Sequence, residues 1–318
     1  MSPVSQTSTA EPLAIGLAVV GTYGLAHSLL AWARCRVWCD EHGVPMMAPN
    51  WLHLEHRIGP LLRRERDARH YHRLFDCSGY ITGFERLRLL LTREKVEAID
   101  FDIHTATPAR RPPLVVFRNL MTQNDETHFH EIVGKQSSVQ AALEKMTRAP
   151  FRPPKSMTPH IAVHVRLGDF RRDTPESSLR RGARNSRLPL GWYTEILAGL
   201  RVRLGDLRIL VYSDGQDREL APLLRLPNVS RSHARAAVTD LLSMSRADLI
   251  VSSGSGFSLW GAYLGHVPRI CYPGQRYVRA HGPPEDDLDT EPECEDGSAI
   301  PQALVEHVRR SMHLRAAH

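Results

Sequence analysis

Lysine is nearly absent from this chain. Of its 41 basic residues only four are Lys (Lys95, Lys135, Lys145, Lys155) and the rest are Arg. The net charge of +6 and the pI of about 9.2 therefore rest on planar, permanently ionised forks suited to phosphate and carboxylate. A chain-wide Arg bias explains much of the excess, and a basic surface suits a nucleic acid as well as a phosphate-bearing ligand. Long apolar runs are also missing. Residues 12–20 form an apolar stretch far short of the ~20 residues a membrane-spanning helix needs. That stretch has neither a basic leader nor a small-residue cleavage site, so a buried strand is expected rather than a signal peptide. A cytoplasmic protein that spans no membrane is the expectation, with peripheral membrane contact left open. Cysteine is sparse and odd in number. Cys35, Cys39, Cys77, Cys271 and Cys294 form neither a zinc-type pair of pairs nor a disulfide framework. The closely spaced histidines (His53 and His56, His70 and His72, His128 and His130) lack a third or fourth ligand at a diagnostic distance, so no metal is expected.

The chain's 318 residues, 42% hydrophobic and 24% charged, suit a globular protein of two domains. Residues 13–20 read as a strand, Gly21-Thr-Tyr-Gly24 as a turn, 25–41 as a helix stopped by Gly43, and 44–48 as a second strand. Strand, glycine turn, helix, strand is the signature of a parallel βαβ unit. Residues 51–75, rich in Arg and His, suggest loops and short helices. Further helical patterns cover 86–98 and 131–146. Pro-rich 149–155 is the candidate linker. Beyond it the alternation resumes, with strands at 160–165, 207–212, 248–252 and 269–272 and helices at 190–204, from 240, at 257–265 and at 301–314. An α/β protein of the GT-B type is expected, with two Rossmann-like domains (1–152 and 153–318) facing a cleft. Ligands in such sheets bind beyond the carboxyl ends of the strands.

Three such tips carry chemistry. The first is His164-Val-Arg166-Leu-Gly168-Asp169-Phe170. Alternation sets His164 and Arg166 on one side, and Gly168 allows a turn and close approach of a ligand. Arg166 is then able to grip a diphosphate bidentately, or to pair internally with Asp169. The second tip, Ser213-Asp214-Gly215, offers a carboxylate to ribose hydroxyls or simply shapes a turn. The third runs from Asp240 through Asp248 to Ser252-Ser253-Gly254-Ser255-Gly256-Phe257. Its Ser255-Gly256 opens a helix, where unpaired N–H groups and the dipole favour phosphate. Ser255 also fits a plain N-cap, and Asp240 either a guanine edge or a cap.

These residues resemble the GDP-fucose-dependent fucosyltransferases, closest to the bacterial alpha-1,2 family (glycosyltransferase family 11). The likeness lies in His-Val-Arg-x-Gly-Asp at 164–169, Ser213-Asp214, and Asp240-Leu-Leu-x-x-Ser-x-Ala-Asp248 followed by the serine loop and Phe257-Ser-x-Trp260-Gly-Ala-Tyr-Leu264. It covers roughly 160–272. It implies inverting, metal-independent transfer of L-fucose from GDP-fucose to a hydroxyl of a glycan or other acceptor, without a further cofactor. By the family pattern Arg166 contacts the β-phosphate, His164 and Phe257 lie against the nucleotide, Asp240 reads guanine and Ser255-Gly256 binds phosphate. The chain departs from the pattern at Leu25-Ala26-His27, where the family has a polar pair, and at Gly254-Ser255-Gly256, which has one hydroxyl fewer.

Inverting transfer needs a base for the acceptor hydroxyl. Asp169 stands nearest in sequence but also suits orienting Arg166. His27 is the second candidate and Glu176 a remote third. Three other readings stay open. They are transfer from GDP-mannose or another GDP-sugar, a non-catalytic nucleotide-sugar binder, and a nucleic-acid binder using 57–73 and 180–187. The last lacks interleaved aromatics, and no nucleic-acid partner is expected.

Overall fold

The computed structural model describes residues 12–21, 24–51, 71–118, 129–155, 157–276, 289–293 and 299–316. Two parallel sheets dominate. The first takes the order β2-β1-β4-β3, from β1 (Ile15–Val19), β2 (Met46–Met47), β3 (Lys95–Glu97) and β4 (Leu114–Arg118). The second takes the order β7-β6-β5-β8-β9, from β5 (Ile161–Val165), β6 (Ile209–Ser213), β7 (Val229–Arg231), β8 (Leu249–Val251) and β9 (Arg269–Ile270). Every strand pair recorded in either sheet is parallel. Parallel strands need crossovers, and helices supply them. The α/β class with two Rossmann-like sheets is the expected one.

In the first lobe α1 (Leu25–His42) follows the β1 turn and ends at Gly43, whose φ of 63° is the left-handed C-cap that glycine takes without strain. The helix expected over 86–98 is instead α2 (Gly83–Thr92), and the residues after it turn into strand β3 on the edge of the sheet. Pairing with β4 outweighs the helical propensity of Glu94 to Glu97. The helix expected over 131–146 is broken at Gly134 (φ 79°), leaving α3 (Gln136–Met146). β4 itself was not anticipated, although it lies inside the sheet. The Arg- and His-rich segment 52–70 lies outside the described residues.

The second lobe adds α4 (Glu176–Arg180), α5 (Leu190–Leu204), α6 (Asp217–Leu224), α7 (Ala237–Met244), α8 (Gly256–Gly265) and α9 (Gln302–Ala316). The Pro-rich stretch is no slack tether. It forms a 3-10 turn (Ala149–Phe151), and the Phe151 carbonyl accepts the Thr239 hydroxyl at 2.7 Å.

The lobes are joined through a shared core. Trp260 and Tyr263 of α8 pack with Phe129 and with residues of α1, α3 and α7 in one buried cluster. Phe129 stacks on Tyr263 at 4.3 Å and meets Trp260 edge-on at 5.1 Å. Two hydrogen bonds from α8 are among those that cross the junction. The Trp260 indole donates to the Ala26 carbonyl at 2.7 Å, and the Tyr263 hydroxyl to the Ile132 carbonyl at 2.6 Å. Among the described residues no helix is long and apolar enough to cross a membrane.

Replacing Trp260 by Ala removes a fully buried aromatic and orphans a carbonyl. The expected loss is about 3–5 kcal/mol of stability, read as a lower urea midpoint. An unchanged midpoint would place the lobe junction elsewhere.

Candidate functional site

Pairing of β5 with β6 sets His164 opposite Tyr212 and Val165 opposite Ser213. One step further along the same register Arg166 faces Asp214. The Asp214 carboxylate accepts the backbone N–H groups of Leu167 (2.8 Å) and Gly168 (3.0 Å) and pairs with Arg166 Nη1 at 2.6 Å. Arg166 Nη2 reaches Asp169 at 2.6 Å, and the guanidinium lies 5.5 Å from the Phe170 ring centre. A Cβ built on Gly168 would fall 2.1 Å from Asp214 Oδ2. The glycine thus makes room for Asp214. Both Asp214 oxygens hold the β5 exit through these bonds.

His164 is buried on the same exit. Its Nδ1 lies 2.8 Å from Ser253 Oγ and 3.4 Å from Ser255 Oγ, and its ring stacks on Phe257 at 5.4 Å. Its carbonyl accepts the Tyr193 hydroxyl at 3.2 Å. Burial pushes the imidazole down to about 4, with Arg166 adding to the effect and Asp214 opposing it. His164 is thus neutral near pH 7 and fastens the serine loop to β5. The loop's hydroxyls are engaged locally. Ser255 caps α8 by accepting the Phe257 N–H at 3.3 Å, and Ser252 shares a hydrogen bond with Ser258 at 2.8 Å. What the loop leaves toward the strand ends is the N-terminus of α8, with its backbone N–H groups and the positive end of the helix dipole.

Two candidates stand around this centre. A Cβ at Gly256 would touch Ala26 Cβ at 3.4 Å, so the first turn of α1, which carries half-buried His27, abuts the N-terminus of α8. Asp240 is buried within the first turn of α7, whose N-cap is Ala236, so Asp240 is not the cap. It accepts the Ser232 hydroxyl at 2.5 Å and, by its charge, helps raise the Tyr212 phenol above its usual range after burial. Glu176 lies further out, accepting the Tyr272 hydroxyl at 3.1 Å beyond β9. The structure thus gathers His164, Arg166, Asp169, Asp214, Ser255, Gly256 and Phe257 at the carboxyl ends of three neighbouring strands. Ser253 and Phe170 belong to the same group. The serine run and the motif's own Phe were signals for both. Among the described residues no group of three metal-ligating side chains occurs.

Fold and site together define a two-lobed α/β protein with two Rossmann-like parallel sheets, its candidate residues gathered where strands of the second sheet end. No family model matches the chain, and no curated protein does. Solved structures are similar to it. The fucosyltransferase NodZ from Bradyrhizobium aligns with 14% identity over 82% of this chain and 96% of its own, at a TM-score of 0.43. POFUT1 in complex with GDP aligns with 12% identity over 82% and 98%, also at 0.43. The calicheamicin glycosyltransferase CalG4 aligns with 12% identity over 95% and 94%, at 0.35. A likeness of this degree carries no activity with it.

The depressed His164 sets a pH dependence. Above pH 6.5 both folded and unfolded chains leave it neutral. Between 6.5 and about 4 only the unfolded chain takes the proton, so stability falls as pH falls, by about 3 kcal/mol across the window. His164→Gln removes this linkage. Urea unfolding at about pH 7 and about pH 5 should show a smaller loss in the variant than in the parent. Equal losses would show that His164 accepts its proton while folded.

Proposed function

We propose that the chain is an inverting, metal-independent glycosyltransferase that moves L-fucose from GDP-fucose to an acceptor hydroxyl, as the resemblance to the bacterial alpha-1,2 family implies. One observation carries this reading. Arg166 and the α8 N-terminus stand at the ends of adjacent strands, bridged by His164, which supports a cationic fork and a set of helix N–H groups acting on one diphosphate. A nucleoside diphosphate is the ligand such a pair suits. Asp240 is assigned to guanine, because a carboxylate accepts from the ring N–H and the exocyclic amine together.

In the transfer the bond between C1 of the sugar and the β-phosphate oxygen breaks, and its electron pair leaves with GDP. The acceptor oxygen bonds C1 from the opposite face and gives up its proton. Arg166 and the α8 amides stabilise the charge that grows on the leaving diphosphate, a term worth about 10²–10³ in rate per donor. Asp169 is committed to Arg166, so the proton is assigned to His27, on the lobe facing α8. Asp169 and Asp214 together orient the guanidinium toward the site.

Three measurements test this. GDP, and GDP-fucose more than GDP-mannose, should raise the melting temperature, and ADP should not. A response to GDP-mannose alone would change the sugar. Arg166→Lys keeps the charge and loses the fork. It should weaken GDP at least about tenfold by calorimetry, and near-normal affinity would remove Arg166 from the site. His27→Gln should lower turnover by about 10²–10⁴ with GDP affinity unchanged, whereas undiminished turnover would assign the proton elsewhere.

A further inference from the structure

Between β5 and α5 the chain makes an ordered excursion, residues 169–187. It carries six arginines (Arg171, Arg172, Arg180, Arg181, Arg184, Arg187) against three carboxylates (Asp169, Asp173, Glu176), six minus three leaving three positive charges. The strap starts at the partner of Arg166 and is pinned at its far side behind β9. There the buried Gln275 side chain donates to the Leu179 carbonyl at 2.6 Å and to the Ala183 carbonyl at 3.2 Å. A Cβ on Gly274 would stand 2.2 Å from the Arg180 carbonyl, so the two backbones are in close contact. At its base the strap closes on itself. The Arg171 N–H reaches the Asn185 carbonyl at 2.8 Å and the Arg187 N–H the Arg171 carbonyl at 2.9 Å. Since β8 lies between β5 and β9, the strap spans the width of the strand whose end carries the serine loop.

Some of this charge serves the fold. Arg187 pairs with Glu219 at 3.1 Å, and Arg180 with Glu176 at 3.1 Å. Arg181 ends a short helix, where a cation faces the negative end of the dipole. Arg171 also donates to the Arg184 carbonyl at 3.0 Å and Arg181 to the Ser178 hydroxyl at 3.4 Å, yet Arg171, Arg172, Arg181 and Arg184 all stay exposed on one backbone beside the site, where like charges repel. Nor is the strap built for a neutral sugar or for stacked bases. Its one aromatic, Phe170, lies beside Arg166.

We propose that this strap is the acceptor subsite and that it takes an anionic glycan, one bearing a phosphate or carboxylate near the hydroxyl that receives the sugar. The proposal rests on the chain being a GDP-sugar transferase. Guanidinium forks bind both anions bidentately, and attraction of this kind weakens with added salt.

The test is calorimetry on the full chain with three probes: N-acetylglucosamine 1-phosphate, tetragalacturonate and neutral chitotetraose. The expected result is binding of one or both acidic probes at least about tenfold tighter than the neutral one, with the arm that binds naming phosphate or carboxylate. Arg172→Ser/Arg181→Ser should abolish that preference and leave the GDP melting shift as in the parent, which also certifies its fold. Equal affinity for acidic and neutral probes would overturn the proposal, as would an acidic preference unchanged in the variant. A parallel loss of GDP affinity would also overturn it, since the strap would then serve the donor. So would tighter, equally Arg-dependent binding of an oligothymidylate. Absence of a GDP shift with the acidic preference intact would sink the donor reading and leave the strap as an anionic-glycan site.

Discussion

One helix constrains everything else. The N-terminus of α8 faces the ends of β5 and β8, while its body is the apolar wedge between the lobes. Trp260 and Tyr263 are fully buried and each donates a hydrogen bond to a backbone carbonyl of the first lobe. The helix is therefore fixed in direction at both ends. Its dipole is aimed at the site by the same packing that joins the lobes, so the site's electrostatics do not depend on loop order.

Charge at the site is organised in a way that a glance at Arg166 alone would miss. Two carboxylates hold one guanidinium, and one of them, Asp214, also ties the Leu167 and Gly168 amides. A half-buried carboxylate with three donors is well compensated, and removing Arg166 outright would leave it short of a partner. Asp169 is more exposed and loop-borne, so its pair with Arg166 contributes less than the Asp214 pair does. His164, neutral through burial, adds no competing positive charge and holds Ser253 and Ser255 in place.

Much of this was legible in the sequence. β1, α1, β5 and α8 announce themselves because apolar runs end at glycine or serine turns, and the tips of β5 and β8 carry the residues that gather at the site. Other parts were hidden by physics that acts between segments. β4 follows Pro112-Pro113 and looks like one more loop until β1 and β3 flank it. α6 contains Pro222, which sequence rules place outside helices, yet a capping box formed by Gln216 and Glu219 starts it. Asp214 was visible as a strand-end carboxylate. Its hold on the β5 exit was not, because strand register is not written in either strand alone.

A continuous core between the lobes also limits how substrates enter. Swinging the lobes apart would expose Phe129, Trp260 and Tyr263, each an aromatic of roughly 150–250 Å². At about 25 cal/mol per Å² that is on the order of 10 kcal/mol, comparable to the whole stability of a domain. Wide opening at this junction is thus disfavoured to the point of unfolding. Access falls to what surrounds the strand ends, and there the pinned strap of residues 169–187 is itself held on both sides. On the proposed reading, selection among substrates rests on fixed charges and shape, not on closure around the ligand, and arginines on a fixed backbone lose less conformational freedom on binding than the same residues on a slack loop.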